Sequence, residues 1–306
     1  MIAPPFAERI EAILCDPHTG ELLRRERDTF VCSTARYPIV RDVPRFVPSD
    51  QYVESFSFEW KVHSKTQVDS FRADRYSEDE FTAKTGFSAE DLRGKLVLDA
   101  GTGSGRYAEL VSRWGGDVVG VDLSYAVDSA REILAERQNV WIAQANISAL
   151  PFKRESFDVI FSIGVLHHTS DTRAHFLKLV PLLKPKGVIA VWVYPNEGEY
   201  AVRERWVRFV NKIPRPMFYA WCRRFVPWVQ ARLETQMVGL IRIVFPFSDQ
   251  HRGLENDILD TFDAYSPEYH GIHSPEEVEG WFREAGLVDV CRPSGRNTCV
   301  RGVKPP

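Results

Sequence analysis

Between residues 94 and 194 short apolar runs alternate with segments of helical period. The runs predict strands at 96–99, 117–122, 140–144, 157–163 and 188–194. Between the first two, Tyr107, Leu110, Val111 and Trp114 fall at i, i+3, i+4 and i+7, and Gly115-Gly116 ends that helix. A second helix is expected over about 125–137. A third runs from near Thr172 to Leu183, where Lys184-Pro185-Lys186-Gly187 predicts a turn. Strands alternating with helices imply right-handed crossovers and a mostly parallel sheet covered on both faces.

The flanks depart from this rhythm. Residues 1–50 are rich in proline, arginine and short β-like runs. Residues 51–93 are polar and aromatic, with Phe56, Phe58, Trp60, Phe71 and Tyr76, and Ser77 with Glu80 has the spacing of a capping box that starts a helix. Residues 195–252 read as a long, apolar, arginine-rich helical insertion. Residues 253–306 return to the core pattern: Ser274-Pro275-Glu276-Glu277 predicts a helix start, that helix ends near Gly286, and runs at 287–292 and 298–303 read as two closing strands. The organisation expected is therefore 1–50, a small β-rich module; 51–93, a lid segment; 94–194, the core; 195–252, a helical cap; and 253–306, completion of the core.

Composition adds only bounds. The 306 residues are 44% hydrophobic and 26% charged, with a net charge of -3, which gives no whole-chain reason to expect nucleic-acid binding. Five scattered cysteines, Cys15, Cys32, Cys222, Cys291 and Cys299, argue against a disulfide framework and for a reducing compartment. The first residues lack a basic-then-apolar leader, and no run of about 18 apolar residues would span a membrane, so a cytoplasmic location is expected.

The most specific chemistry lies after the first strand, in Asp99-Ala100-Gly101-Thr102-Gly103-Ser104-Gly105. A dinucleotide loop needs glycine at its first, third and sixth positions, which here are Gly101, Gly103 and Arg106. Arginine cannot replace the glycine that lets helix and strand pack closely, and a lysine-serine phosphate loop is also missing. The second strand ends on Asp122, a carboxylate at a strand tip.

With these residues the chain resembles the class I S-adenosylmethionine-dependent methyltransferases (type 11-like), whose first motif is an acidic residue followed by Gly-x-Gly-x-Gly. Asn146-Ile147 with Leu150-Pro151-Phe152 resembles their adenine-binding turn. Ser156 to Ile160, Val165-Leu166-His167-His168-Thr169 and Leu183 to Gly187 continue the likeness, close over 94–194 and looser over 262–303. The resemblance implies an α/β fold, a Rossmann-like seven-stranded methyltransferase sheet with helices on both faces, plus the small N-terminal β-rich module and the helical cap insertion. It implies S-adenosyl-L-methionine as cofactor, held by Asp99, Gly101, Thr102, Gly103, Gly105, Asp122, Leu123, Asn146, Ile147 and Ile163. Asp122 would accept from the ribose diol and Leu123 and Ile147 would sandwich the adenine. Asn146 stands where an aspartate is common.

Methyl transfer from a sulfonium needs mainly alignment, and a general base only where the acceptor must lose a proton. His167 and His168, just after the fourth strand, are the candidate catalysts, with His168 preferred. Tyr265, Tyr269, His270 and His273 either line an acceptor pocket or form a surface turn. Cys15-Asp16-Pro17-His18 and Cys32-Ser33-Thr34-Ala35 resemble a zinc ribbon in which His18 and Ala35 replace the second member of each pair. That leaves three ligands for a four-coordinate metal, so no metal is expected. From 197 to 252 there are ten Lys/Arg against five Asp/Glu, which suits a cap over a bulky, partly hydrophobic acceptor or a homodimer interface. The function expected is methyl transfer, to oxygen by preference, onto a small-molecule, glycan or lipid-linked acceptor, with no membrane span and no nucleic acid. The alternative is a non-catalytic protein that binds the cofactor or a partner.

Overall fold

A computed structural model describes residues 5–47, 75–232, 253–293 and 298–306, with 241, 245, 247 and 295 as isolated positions. Of the aromatic positions expected in the lid, Phe56, Phe58, Trp60 and Phe71 lie outside the described residues. Seven strands form the main sheet: β5 (Leu96–Ala100), β6 (Asp117–Asp122), β7 (Val140–Gln144), β8 (Phe157–Ile163), β9 (Leu183–Trp192), β10 (Val288–Cys291) and β11 (Cys299–Val303). Their order is β10-β11-β9-β8-β5-β6-β7, and only β11 runs against its neighbours. The chain leaves β5 towards β6 and β7, then crosses back to β8 on the other side of β5. The crevice at the carboxyl ends of β5 and β8 is thus the topological switch point, where sheets of this type bind ligands.

Side chains on these strands alternate between two cores. Leu96, Leu98 and Ala100 of β5, with Val119 and Val121 of β6, face one layer, built by α6 (Thr172–Leu179), α10 (Pro275–Glu284) and α1 (Phe6–Glu11). Val97 and Val118 face the other, with α2 (Tyr76–Thr85), α3 (Ala89–Leu92), α4 (Arg106–Arg113) and α5 (Ala126–Ile133). Burial on both faces is why these strands read as continuous apolar runs.

A four-stranded antiparallel sheet, β1 (Arg24–Glu26), β2 (Thr29–Val31), β3 (Arg36–Val40) and β4 (Val43–Pro44), precedes this core. The turn after Cys15 is organised by an aspartate. Asp16 accepts from the backbone N–H of His18 (2.9 Å) and Thr19 (2.7 Å), the Thr19 hydroxyl (3.0 Å) and the Tyr37 hydroxyl (2.6 Å). These bonds hold its carboxyl low, at about 2, against the opposing effect of burial. Among the described residues no three His, Cys, Asp or Glu side chains are placed to hold a metal ion, and no helix is long and apolar enough to cross a membrane.

Three local expectations change. The N-cap of helix α2 lies two residues before Ser77: Arg75 takes that position without a side-chain capping bond, and the Ser77 hydroxyl accepts from Arg106 Nε (2.8 Å) instead. Helix α6 stops at Leu179 and gives way to a 3₁₀ turn over Val180–Leu182, because Pro181 has no N–H for the α-helical ladder. The expected turn at Lys184–Gly187 lies within β9. Lys186 takes φ 63° and the register against β8 slips there, while Lys186 and Gly187 exchange hydrogen bonds with Lys304.

The cap consists of α7 (Glu199–Val210) and α8 (Arg215–Arg232), joined by α9 (Leu254–Tyr265). Helix α9 was expected with the closing core. Its Ile258, Phe262 and Tyr265 pack instead with Val207, Phe218, Cys222 and Val226 in a separate apolar cluster. Helix α10 starts as its sequence predicts, with the Ser274 hydroxyl accepting from Glu277 N–H (3.1 Å).

Candidate functional site

Each expected cofactor residue lies at or beside the carboxyl edge of the sheet. At the tip of β5 the chain turns through Gly101 (φ 97°), Gly103 (φ 54°) and Gly105 (φ 89°), left-handed values that suit glycine. The same glycines are also packing sites. A Cβ on Gly101 would lie 2.2 Å from Val165, and one on Gly105 would lie 2.8 Å from Leu134. Gly101 therefore brings the loop after β5 against the residue that opens the histidine turn after β8.

Asp99 is buried, and the Thr102 hydroxyl donates to it (2.8 Å). Burial pushes its carboxyl up to about 7; the Thr102 bond opposes this, and the charge of Asp122 adds to the rise. Burial also raises Asp122. It accepts from Gly103 N–H (3.0 Å), Ser124 N–H (2.8 Å) and the Ser124 hydroxyl (2.7 Å), which all favour its charged form. Oδ1 takes both Ser124 bonds and Oδ2 the Gly103 bond, and the Leu123 N–H also favours the charged form, so the carboxylate is held in place by the turn that follows β6.

Leu123 is partly exposed beside it, and Ile163 is likewise partly exposed at the end of β8. Asn146 caps the short turn Ile147–Ala149, its Oδ1 accepting from Ser148 N–H (2.9 Å) and the Ser148 hydroxyl (2.8 Å), while Ile147 is buried. With that oxygen engaged, the amide nitrogen of Asn146 is the group that can reach a ligand.

The two candidate catalysts occupy different environments. His167 is fully buried, its ring stacked on Tyr194 with centroids 3.7 Å apart, and neither ring nitrogen has a hydrogen-bond partner among the described residues. Burial drives its pKa well below 6.5, helped by the neighbouring histidines and Lys84. His168 is partly exposed. Its Nδ1–H donates to the Tyr269 carbonyl (3.0 Å), which leaves Nε2 as the basic nitrogen of the neutral ring.

The loop with Tyr269, His270 and His273 closes over this turn. Gly271 N–H donates to His167 O (2.7 Å), His273 N–H to Tyr194 O (2.9 Å), and the His273 ring bonds Thr172 Oγ1 (2.9 Å). His270 packs on Tyr194 (5.1 Å), its ring nitrogens also buried and unpartnered, and burial with the charge of Arg203 lowers it to about 4.

Several residues here were missed as site residues. Trp192 ends β9 and Tyr194 lies two residues beyond it, and both read only as strand, yet Tyr194 touches His167 and His270. Tyr200 of α7 packs on Tyr194 (4.7 Å), which joins the cap to the histidine cluster. Lys84 of α2 sits 3.6 Å from the Trp192 ring centroid and pairs with Glu80 (2.8 Å), so α2 is anchored over the end of β9.

Residues 98–191, which contain the glycine loop, Asp122 and the histidine turn, match a family model described as a methyltransferase domain. That segment is a class I methyltransferase domain. S-adenosylmethionine is the cofactor such a domain takes. Among curated proteins, the chain is 31% identical over 101 residues to a tRNA U34 carboxymethyltransferase of Ruthia magnifica subsp. Calyptogena magnifica, covering 31% of each protein. It is 31% identical, also over 101 residues, to a ubiquinone biosynthesis O-methyltransferase of Rhodopseudomonas palustris (strain TIE-1), covering 33% of this chain and 40% of the relative. The chain thus spans about a third of the length of these relatives. Among solved structures, a complex between the Haloferax volcanii Trm112 methyltransferase activator and a methyltransferase aligns with 82% of this chain and 98% of that one, at 16% identity and a TM-score of 0.49.

Proposed function

We propose that the chain transfers a methyl group from S-adenosylmethionine to a hydroxyl of a bulky small-molecule acceptor, of glycan, lipid-linked or natural-product type. The observation that carries the cofactor half is Asp99. A buried carboxyl pushed up to about 7, with one neutral donor, is a site that gains from a cation. The α-ammonium of the cofactor supplies that charge. Asp122 then takes the ribose diol, with the Ser124 hydroxyl turning aside to give up its place on Oδ1. Leu123 and Ile147 flank the adenine, and the Asn146 amide donates to a ring nitrogen. Gly101, Thr102, Gly103 and Gly105 supply the backbone between these contacts, and Ile163 borders the site at the end of β8.

Bound there, the cofactor supplies a methyl group on a good leaving group. The chain's own residues align an acceptor and accept its proton. His168 suits that role, because its donation to Tyr269 fixes the ring and presents Nε2 as the base. Buried His167 instead supports the turn. The unpartnered nitrogens of His167 and His270 around Tyr194 favour an acceptor with polar groups that can satisfy them.

The acceptor class is open to one specific competitor. Relatives named for tRNA modification and for ubiquinone biosynthesis match the same segment at 31% identity, so net charge alone does not exclude nucleic acid. Methyl-labelled cofactor offered with a small-molecule extract, a lipid extract and bulk tRNA tests the reading. Label in a small-molecule or lipid fraction, reduced about 100-fold or more by His168→Gln, is the expected result. Label only in tRNA would replace the acceptor assignment. Binding without transfer to any pool would favour the non-catalytic alternative.

A further inference from the structure

Arg45 belongs to the segment that leaves the small N-terminal sheet, yet its side chain is buried against the edge of the large one. Its backbone forms a parallel bridge with Gln144 at the end of β7, and Phe46 N–H donates to Gln144 O (2.8 Å). The guanidinium donates to Gln144 Oε1 (3.3 Å), to Val40 O (3.4 Å) and to Asp128 in the first turn of α5, and it lies over the Tyr125 ring. Gln144 Nε2 in turn donates to Leu123 O (2.8 Å). One buried cation therefore holds both ends of the turn between β6 and α5: Leu123 through Gln144, and the helix start through Asp128.

We infer that Arg45 is a positioning residue for the cofactor, an inference that rests on reading residues 122–124 as part of the adenosine site. Through Arg45, the small sheet sets the turn that presents Asp122 and Leu123. Sealing the sheet edge alone would not require this residue. A buried ion pair is weak evidence for stability, and an apolar side chain of similar length would cover the same surface. The planar fork, with several donors in fixed directions, suits a group that must fix three acceptors relative to one another.

The test is adenosylhomocysteine binding to the full chain by calorimetry, beside thermal unfolding without ligand, for wild type, Arg45→Met, Gln144→Leu and the double variant. Arg45→Met keeps the stem and removes the donors. The expected result is a loss of affinity of about tenfold in each single variant, measured well below its Tm, with the double variant little worse than either. Arg45→Lys, which keeps the charge and its donors on a single nitrogen but loses the fork, should recover part of the loss. A purely structural role would lower Tm and leave Kd unchanged, and a wild-type Kd in Arg45→Met overturns the inference. If Arg45→Met does not unfold cooperatively, Asp128→Asn loosens the same guanidinium from its surface side. A loss of about threefold there supports the inference, and unchanged affinity overturns it. A wild-type chain that does not bind adenosylhomocysteine refutes the adenosine reading itself, and the role of Arg45 with it.

Discussion

Asp99→Asn separates the cost of a buried charge from the loss of a side chain. In the cofactor-free chain, Asp99 is raised from 3.8 to about 7 by burial, and its Thr102 contact survives in the amide, whose oxygen accepts equally well. A rise of that size corresponds to about 4 kcal/mol. The sign follows from proton binding. Between about pH 4 and pH 7 the folded carboxyl holds a proton that the unfolded one has lost, so stability is highest below pH 4 and falls as pH rises to about 7. Asparagine has no such penalty, although its amide hydrogens need partners, which lowers the gain. Urea unfolding of both proteins at pH 5 and pH 8 is the assay. Relative to wild type, Asp99→Asn should be more favourable at pH 8 than at pH 5 by about 2–4 kcal/mol, while cofactor binding is lost. An equal effect at the two pH values would refute the reasoning.

His270 behaves in the opposite sense. Its folded pKa, lowered to about 4, means the unfolded chain takes up a proton first, so stability is lost as pH falls from about 6.5 towards 4. His270→Phe should flatten that acid limb by up to about 3 kcal/mol in urea melts at pH 4.5 and 7. Asp16→Asn exchanges a charged acceptor of four donors for a neutral one. It should cost about 2–3 kcal/mol at pH 7 and much less near pH 2, where wild-type Asp16 begins to protonate, as read by the Tm difference at the two pH values. Gly101→Ala places a methyl on Val165 in a left-handed conformation. A loss of more than about 2 kcal/mol, partly restored by Val165→Ala in a double-mutant cycle, is expected from unfolding curves.

The parallel core was legible because strands covered on both faces carry uninterrupted apolar runs, and because Gly115-Gly116 and Ser274-Pro275 mark helix ends by local chemistry. The site's backbone was legible for a similar reason: Gly101, Gly103 and Gly105 need left-handed conformations, and Asp122 ends a strand. Distant partners override the local signal elsewhere. Ser77 and Glu80 have capping-box spacing, but Arg106 takes the hydroxyl. Lys184–Gly187 has turn composition, but Lys304 holds it within β9. Nothing near Arg45 announces Gln144, 99 residues away, and nothing near His167 predicts the loop from Tyr269 to His273 that buries it. Periodicity reports which face of an element is apolar. It does not report which other segment completes a buried polar group.

Calorimetric titration of the full chain with adenosylhomocysteine tests the central claim most directly. Saturable one-site binding that is lost in Asp122→Ala, with the variant still folded, is the result predicted for a cofactor cradle at the tips of β5 and β6. No binding by the wild-type chain, or equal binding by Asp122→Ala, would contradict it.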